Sequence, residues 1–114
     1  MKDITVETNI SIRQAMKTLE KTAEKCLLVV NKNKQLQGTL TDGDLRRSIL
    51  GGVKFSEDIS TSYNAKPTVF TQEKYNIEQS IQILRDLKLD LIPVVDQNNV
   101  VVDYVTWSTL DNDS

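Results

Sequence analysis

Apolar and polar positions along the chain follow two rhythms, and the same succession of rhythms occurs twice. Ile4 to Val6 reads as a short strand. Ser11-Ile12-Arg13-Gln14 then opens a helix with the spacing of a capping box, and Ile12, Ala15, Met16, Leu19 and Ala23 give that helix an apolar stripe. Cys26 to Val30 is an unbroken apolar run, the pattern of a strand buried on both faces. Asn31-Lys32-Asn33-Lys34 is a polar turn, after which Leu36 to Leu40 returns as a strand leading into Thr41. Leu45, Ser48 and Ile49 start a second helix that Gly51-Gly52 stops.

The second half repeats the order. Thr68 to Phe70 reads as a strand opened by Pro67, and Asn76-Ile77-Glu78-Gln79 starts a helix with Ile77, Ile81, Leu84, and Leu87 or Lys88 inward. Leu91 to Val95 is a buried strand, Asp96-Gln97-Asn98-Asn99 its turn, and Val100 to Thr106 the returning strand. A last helix begins near Ser108. One gapless offset relates the halves: 92 − 27 and 106 − 41 both give 65, and Ile12/Ile77, Gln14/Gln79, Leu19/Leu84, Val29/Val94, Val30/Val95, Asn33/Asn98 and Leu45/Leu110 are identical pairs. Strands, caps, helices and turns agree at that offset too, which identifies an internal duplication.

This predicts an α+β fold of two βαββα repeats, residues 1–52 and 67–114, packed about a pseudo-two-fold axis because each sheet alone would leave a face bare. Residues 53–66 are too apolar for a free linker. Ser56-Glu57-Asp58-Ile59 can cap one helical turn, and Val53, Phe55, Ile59 and Tyr63 would anchor a strap laid over the pair. Hydrophobic residues make up 39% of the chain, enough for a core without disulfide or metal staples. A net charge of −2 gives no bulk attraction to nucleic acid or membrane, and a cytoplasmic location is expected from the lack of a signal-like N-terminus. The chain contains no histidine, which removes the commonest general base and every Ser-His or Cys-His nucleophile. Catalysis is therefore not expected.

The chemistry concentrates at Gly38-Thr39-Leu40-Thr41-Asp42-Gly43-Asp44, where a strand turns directly into a helix. Thr41 stands at the N-cap with Asp44 three residues on. Such a start leaves backbone N–H groups and the positive end of the peptide dipoles facing outward, favourable to an anion. Gly38 and Gly43 would let a ligand approach the main chain. An ordinary capped helix accounts for the same residues. A magnesium ion on Asp42 and Asp44 is a third reading, short of a third acid or a base nearby. Arg46 or Arg47 could reach a phosphate, or both could lie in solvent, as Lys66 should. Cys26 reads as a small core residue, and Trp107 as packing against the other half or a partner chain.

With Gly38 through Asp44 at the junction, Ile92-Pro93-Val94-Val95-Asp96 on the central strand, and Thr5-Val6 and Thr68-Val69 at the strand starts, the duplicated unit resembles the CBS domain over nearly the whole chain. A tandem pair of these is called a Bateman module. The resemblance implies a regulatory module that binds AMP, ADP or ATP, in some members S-adenosylmethionine, in the cleft between repeats, with no prosthetic cofactor and no metal. It assigns phosphate to Thr41 and the ribose hydroxyls to Asp44, with Gly38, Thr39, Asp42 and Gly43 completing the junction. The base would lie against backbone at Thr68, Val69, Ile92 and Pro93 or their first-half counterparts. In the second half Asp103 replaces the glycine, adding negative charge near a phosphate, Thr109 replaces the aspartate and Trp107 follows Thr106, so one competent site is expected. Thr-Asp-Gly-Asp-Leu-Arg-Arg is similar to junctions in CBS pairs of sugar-phosphate nucleotidyltransferases and sugar-phosphate isomerases, and Thr106-Trp107 leans towards the former. The chain would then be the regulatory part of a longer protein. The resemblance also implies a homodimer through the junction helices, with Leu45 and Ile49 facing outward. A dimerisation module without a ligand is the alternative function.

Overall fold

The computed structural model describes residues 2–108. The elements are β1 (Thr5–Glu7), α1 (Ile12–Thr22), β2 (Cys26–Val30), β3 (Leu36–Thr41), α2 (Asp42–Leu50), a 3-10 turn (Ile59–Thr61), β4 (Phe70–Thr71), α3 (Ile77–Asp86), β5 (Leu91–Val95) and β6 (Val101–Thr106). Trp107 and Ser108 are helical, and the rest of the expected last helix, with Thr109 and Leu110, lies outside the described residues. The chain divides after Pro67 into two compact units, each with a three-stranded sheet in the order β1-β2-β3 or β4-β5-β6. In each, the central strand runs parallel to the first and antiparallel to the third. This is the α+β architecture that the two rhythms predict.

The duplication extends to backbone detail that residue identity does not display. The Asn31 side chain accepts from Asn33 N–H and Gln35 N–H, and Asp96 accepts from Asn98 N–H and Val100 N–H, 65 positions on. Left-handed backbone occurs at Ala23 and Lys34 in the first unit and recurs at Lys88 and Asn99. The irregularity in the central ladder falls between Val29 and Val30, then between Val94 and Val95. Chain reversals here are set by side-chain-to-backbone bonds and by tolerance of positive φ.

The gapless offset holds from the helix caps onward and fails before them. Val6 pairs with Val29 and Phe70 with Val94, so the first strands are related by 70 − 6 = 64. One residue is therefore inserted between β4 and α3. The expected strand from Thr68 to Phe70 also starts late, at Phe70. In the first unit Leu28 N–H donates to Ile4 O (2.9 Å). Pro93 holds the place of Leu28 and has no N–H, so Thr68, in the place of Ile4, gains no such bond. The first strand likewise starts one residue later than the pattern suggested.

Burial corrects both helical stripes and the dimer contact. Ile12, Ala15 and Leu19 are buried, but Met16 is exposed and Ala23 is the left-handed cap beyond the helix. On α3 the buried residues are Ser80 and Leu84, whereas Ile77 and Leu87 face solvent. Ser80 keeps its hydroxyl satisfied on Asn76 O (2.8 Å). Leu45 is 1% exposed, a core residue and not an outward contact, and Ile49 is half-buried. Cys26 is buried as expected.

Residues 53–66 lie on the first repeat. Ile12 N–H donates to Glu57 O (2.8 Å) and Arg13 N–H to Phe55 O (3.0 Å), so strap carbonyls satisfy two amides that the start of α1 leaves without helical partners. Ile59 N–H returns a bond to Ile10 O, and the Ile59 side chain is fully buried. Further on, Thr39 and Asn64 exchange both backbone bonds (3.0 and 2.8 Å), adding one residue of a fourth strand to the free edge of β3. The 3-10 turn is capped by Asp58, whose carboxylate accepts from Ser60 N–H and Oγ.

Three substitutions check these assignments. Lys34 has φ 64°, a region that costs a residue with a Cβ about 1 kcal/mol, so Lys34→Gly should raise stability by about 0.5–1 kcal/mol in urea unfolding. A Cβ on Gly38 would stand 2.2 Å from Asn64 O and 2.5 Å from Tyr63 Cδ2, so Gly38→Ala should cost about 2 kcal/mol. Gly43→Ala should be tolerated, since its nearest neighbour is the flexible end of Arg47 at 3.2 Å.

Candidate functional site

The junction of β3 with α2 is built by a reciprocal pair. Asp44 N–H donates to Thr41 Oγ1 (3.1 Å), and Thr41 N–H donates to Asp44 Oδ2 (2.9 Å). Thr41 keeps extended backbone while Asp42 begins the helix, so the chain turns from sheet to helix within one residue. The reciprocal pair fixes the outer shape of that turn, and the buried Leu45 fastens it from inside.

Asp44 is the most enclosed charge at this turn, with 17% of its side chain exposed. Its second oxygen, Oδ1, takes Arg47 Nη2 at 2.7 Å, and the same guanidinium lies over Gly43. Arg46 reaches back to Asp42 Oδ2 at 3.0 Å, where both partners are largely exposed. The two arginines are thus held by acids of their own helix, at the end where the peptide dipole is unfavourable to a cation. The exposed Arg46–Asp42 pair contributes at most about 1 kcal/mol. Asp42 and Asp44 have separate partners and do not share one, and among the described residues no group of three or more acidic or sulfur ligands forms a metal cluster.

Of the expected site residues, Gly38, Thr39, Thr41, Asp42, Gly43 and Asp44 lie along one edge-to-helix path of the first unit. Two of them have a different task from the one expected. Gly38 admits the strap and not a ligand, because Asn64 and Tyr63 fill the space its missing side chain leaves. Thr39 is buried, with both backbone groups bonded to Asn64. Thr68 and Val69 are half-buried extended residues ahead of β4, and Ile92 and Pro93 are buried on β5, all in the second unit. Asp103 Oδ1 accepts Tyr104 N–H (2.7 Å), and the residue holds the ladder position in the second unit that Gly38 holds in the first. Lys66 and Trp107 are exposed.

The sequence reading passed over a groove of about 720 Å3 in the first unit, between residues 2–6 and the outer face of α1. Thr5, Val6, Gln14, Lys17 and Lys21 line it. Lys17 and Lys21 stand one helical turn apart, and that spacing is the signal that could have found it. Asp3 at its rim is held below the usual carboxylate range by the Thr5 hydroxyl and then by the Thr5 amide.

Comparison with known proteins identifies the fold. Residues 1–51 match the model of the CBS domain. Arabinose 5-phosphate isomerase GutQ of Escherichia coli K12 is 31% identical over 93 residues, which cover 82% of this chain and 29% of the isomerase, so the chain spans less than a third of that relative. The CBS domain pair of protein MJ0100, solved with 5'-methylthioadenosine and S-adenosyl-L-methionine, superposes with a TM-score of 0.83 at 23% identity, covering 98% of this chain and 87% of that one. CBSX2, solved with AMP, gives a TM-score of 0.81 at 20% identity, covering 96% and 84%. The whole chain has the fold of a CBS domain pair. Among the described residues no helix is long and apolar enough to cross a membrane.

Because the cap donors and acceptors are reciprocal, Thr41→Ala should destabilise the protein by about 1 kcal/mol. Thr41→Ser, which keeps the oxygen, should be close to neutral by the same urea unfolding measurement.

Proposed function

We propose that this chain, a pair of CBS-type repeats, is a non-catalytic sensor that binds an adenosine nucleotide (AMP, ADP or ATP) at the first repeat's junction and biases an enzyme that acts on sugar phosphates. The carrying observation is the β3–α2 turn, where Asp44, Thr41 and the first amides of α2 stand within four residues of one another. In this reading the ribose hydroxyls take Asp44 Oδ1 from Arg47, a like-for-like exchange of donors on one carboxylate. The phosphate takes the released guanidinium together with the α2 N-terminus and the Thr41 hydroxyl, so the charge left by the exchange is neutralised. Backbone at Thr68, Val69, Ile92 and Pro93 is assigned to the base, and Pro93 supports this by leaving Thr68 O without the bond that Ile4 O makes. Neighbours of the same fold solved with AMP or with S-adenosyl-L-methionine support an adenosine ligand.

Regulation would follow from unequal affinity for two arrangements of the pair, since a ligand shifts only states it binds differently. For the enzyme regulated, Thr-Asp-Gly-Asp-Leu-Arg-Arg fits a sugar-phosphate nucleotidyltransferase or a sugar-phosphate isomerase, and Thr106-Trp107 leans towards the former. The similarity to GutQ favours a sugar-phosphate isomerase as the second reading. A dimer through the exposed side of α2, where Leu50 is the large apolar residue, is compatible with either.

Isothermal titration with AMP, ADP and ATP tests the site, and Asp44→Asn is the variant to use because its amide oxygen can still accept Thr41 N–H. It should weaken binding by tenfold or more, about 1.4 kcal/mol, while unfolding stability changes little. Unchanged affinity in Asp44→Asn would remove Asp44 from the ribose role, and no heat with any of the three nucleotides would sink the sensor reading.

A further inference from the structure

The strap occupies a definite groove on the first repeat, and the second repeat carries the same groove uncovered. The 65-residue offset takes Ser11, Ile12, Val29, Gln37 and Gly38, which stand around the strap's contacts, to Asn76, Ile77, Val94, Val102 and Asp103. Those five residues, with Gln72, Glu73 and Tyr75, line a groove of about 400 Å3. The contrast in burial is direct. Ile12, under the strap, is 0% exposed, and Ile77 in its place is 44% exposed. Ile12 N–H and Arg13 N–H are satisfied by Glu57 O and Phe55 O, whereas among the described residues no acceptor faces Ile77 N–H or Glu78 N–H. The second repeat thus offers an apolar step flanked by two amides, the arrangement that an extended segment covers in the first.

A copy of the strap does not fit this second groove. Any Cβ at the Gly38 position meets Asn64 O at 2.2 Å, and Asp103 supplies one. Its carboxylate also takes Tyr104 N–H, the counterpart of the Thr39 N–H that bonds Asn64, so the edge of β6 is closed to the strap's second anchor. Phe55 lies over the Arg13 guanidinium at 5.8 Å, and the counterpart of Arg13 is Glu78. The groove lining carries Glu73 and Asp103 and no cation. Shape and charge therefore call for an aliphatic anchor in the place of Ile59, carbonyls toward the start of α3, a basic side chain where the strap has Phe55, and a second one that reaches Asp103 from a segment ending short of the Asn64 position.

We infer that the second repeat is a docking site for an extended, basic–aliphatic segment of a partner protein, seated on Ile77 at the start of α3 and read by Glu73, Glu78 and Asp103. Backbone bonds to Ile77 N–H and Glu78 N–H would give affinity, and the acidic border would set the choice of partner. The site is distinct from the nucleotide junction, and its occupancy does not depend on that reading.

The probe is a synthetic peptide of residues 53–61 carrying Phe55→Arg, Glu57→Gln, Asp58→Asn and Thr61→Lys, which ends before the Tyr63-Asn64 backbone that Asp103 would meet, titrated into the full chain and followed residue by residue by amide NMR. Shifts should concentrate at residues 72–78, 102 and 103 and weaken as salt is raised. Ile77 is exposed, so Ile77→Ser should fold and weaken binding by tenfold or more. Asp103→Asn keeps an acceptor for Tyr104 N–H and should reduce the salt dependence. No shifts at about 1 mM peptide, shifts confined to the first repeat, or equal affinity in Ile77→Ser would each overturn the docking site.

Discussion

A helix has to find partners for its first amides, which no preceding turn supplies, and this requirement organises the protein. The start of α2 meets it with side chains, Thr41 and Asp44. The start of α1 meets it with Ser11 and with carbonyls of the strap. The start of α3 meets it in part, through Asn76, whose side chain accepts from Gln79 N–H (2.7 Å). An unsatisfied amide is a cost when buried and a binding opportunity when exposed. The same local rule therefore yields a closed structural joint at α1, a joint with exchangeable partners at α2, and an open one at α3.

Much of this was legible in the sequence because caps and hairpins are local. Ser11, Thr41 and Asn76 stand at the helix starts that the spacing predicts, and the turns at Asn31 and Asp96 fall where polar residues interrupt apolar runs. Misreadings arose where a distant segment decides the role of a residue. Gly38 looked like a place for a ligand to approach, yet the segment that approaches is Tyr63-Asn64, some twenty-five positions away. Ile77 belongs to an apolar stripe by spacing, but burial also needs something to cover it, and the pattern of α3 alone does not report a covering segment. Thr68 shows the same limit. Its strand pairing depends on whether residue 93 has an N–H, a fact written in the sequence but legible only once the ladder register is known.

The repeats keep backbone features more closely than residues. Hairpin turns, left-handed caps and ladder irregularities are retained at one offset. Several of the changed positions lie where something else meets the repeat: Leu28 to Pro93 beside the first strand, Gly38 to Asp103 and Arg13 to Glu78 where the strap meets the first repeat. A core position tolerates little change in volume, so a duplicated unit can diverge at lower cost on surfaces it presents to other segments. Alanine at 15 against serine at 80 is one interior change, and there the added hydroxyl is satisfied on the backbone of its own helix at Asn76 O.

This pattern also sets where the protein can respond. The first repeat has the strap bonded to the start of α1 and to the edge of β3, so opening either one breaks backbone bonds and exposes the buried Ile59. The second repeat has a two-residue first strand, a proline where a ladder donor would be, and a helix start with uncovered amides. Local opening costs least where few bonds are at stake, so the ends of the second repeat, β4 and the start of α3, open more readily than their strapped counterparts, while Phe70 and Leu84 still tie both elements to the core. The firm half fixes the geometry of Thr41 and Asp44, which a selective site requires. Under the proposed sensor reading, a ligand held at Thr41 and Asp44 would discriminate between arrangements of the pair through contacts that differ between them.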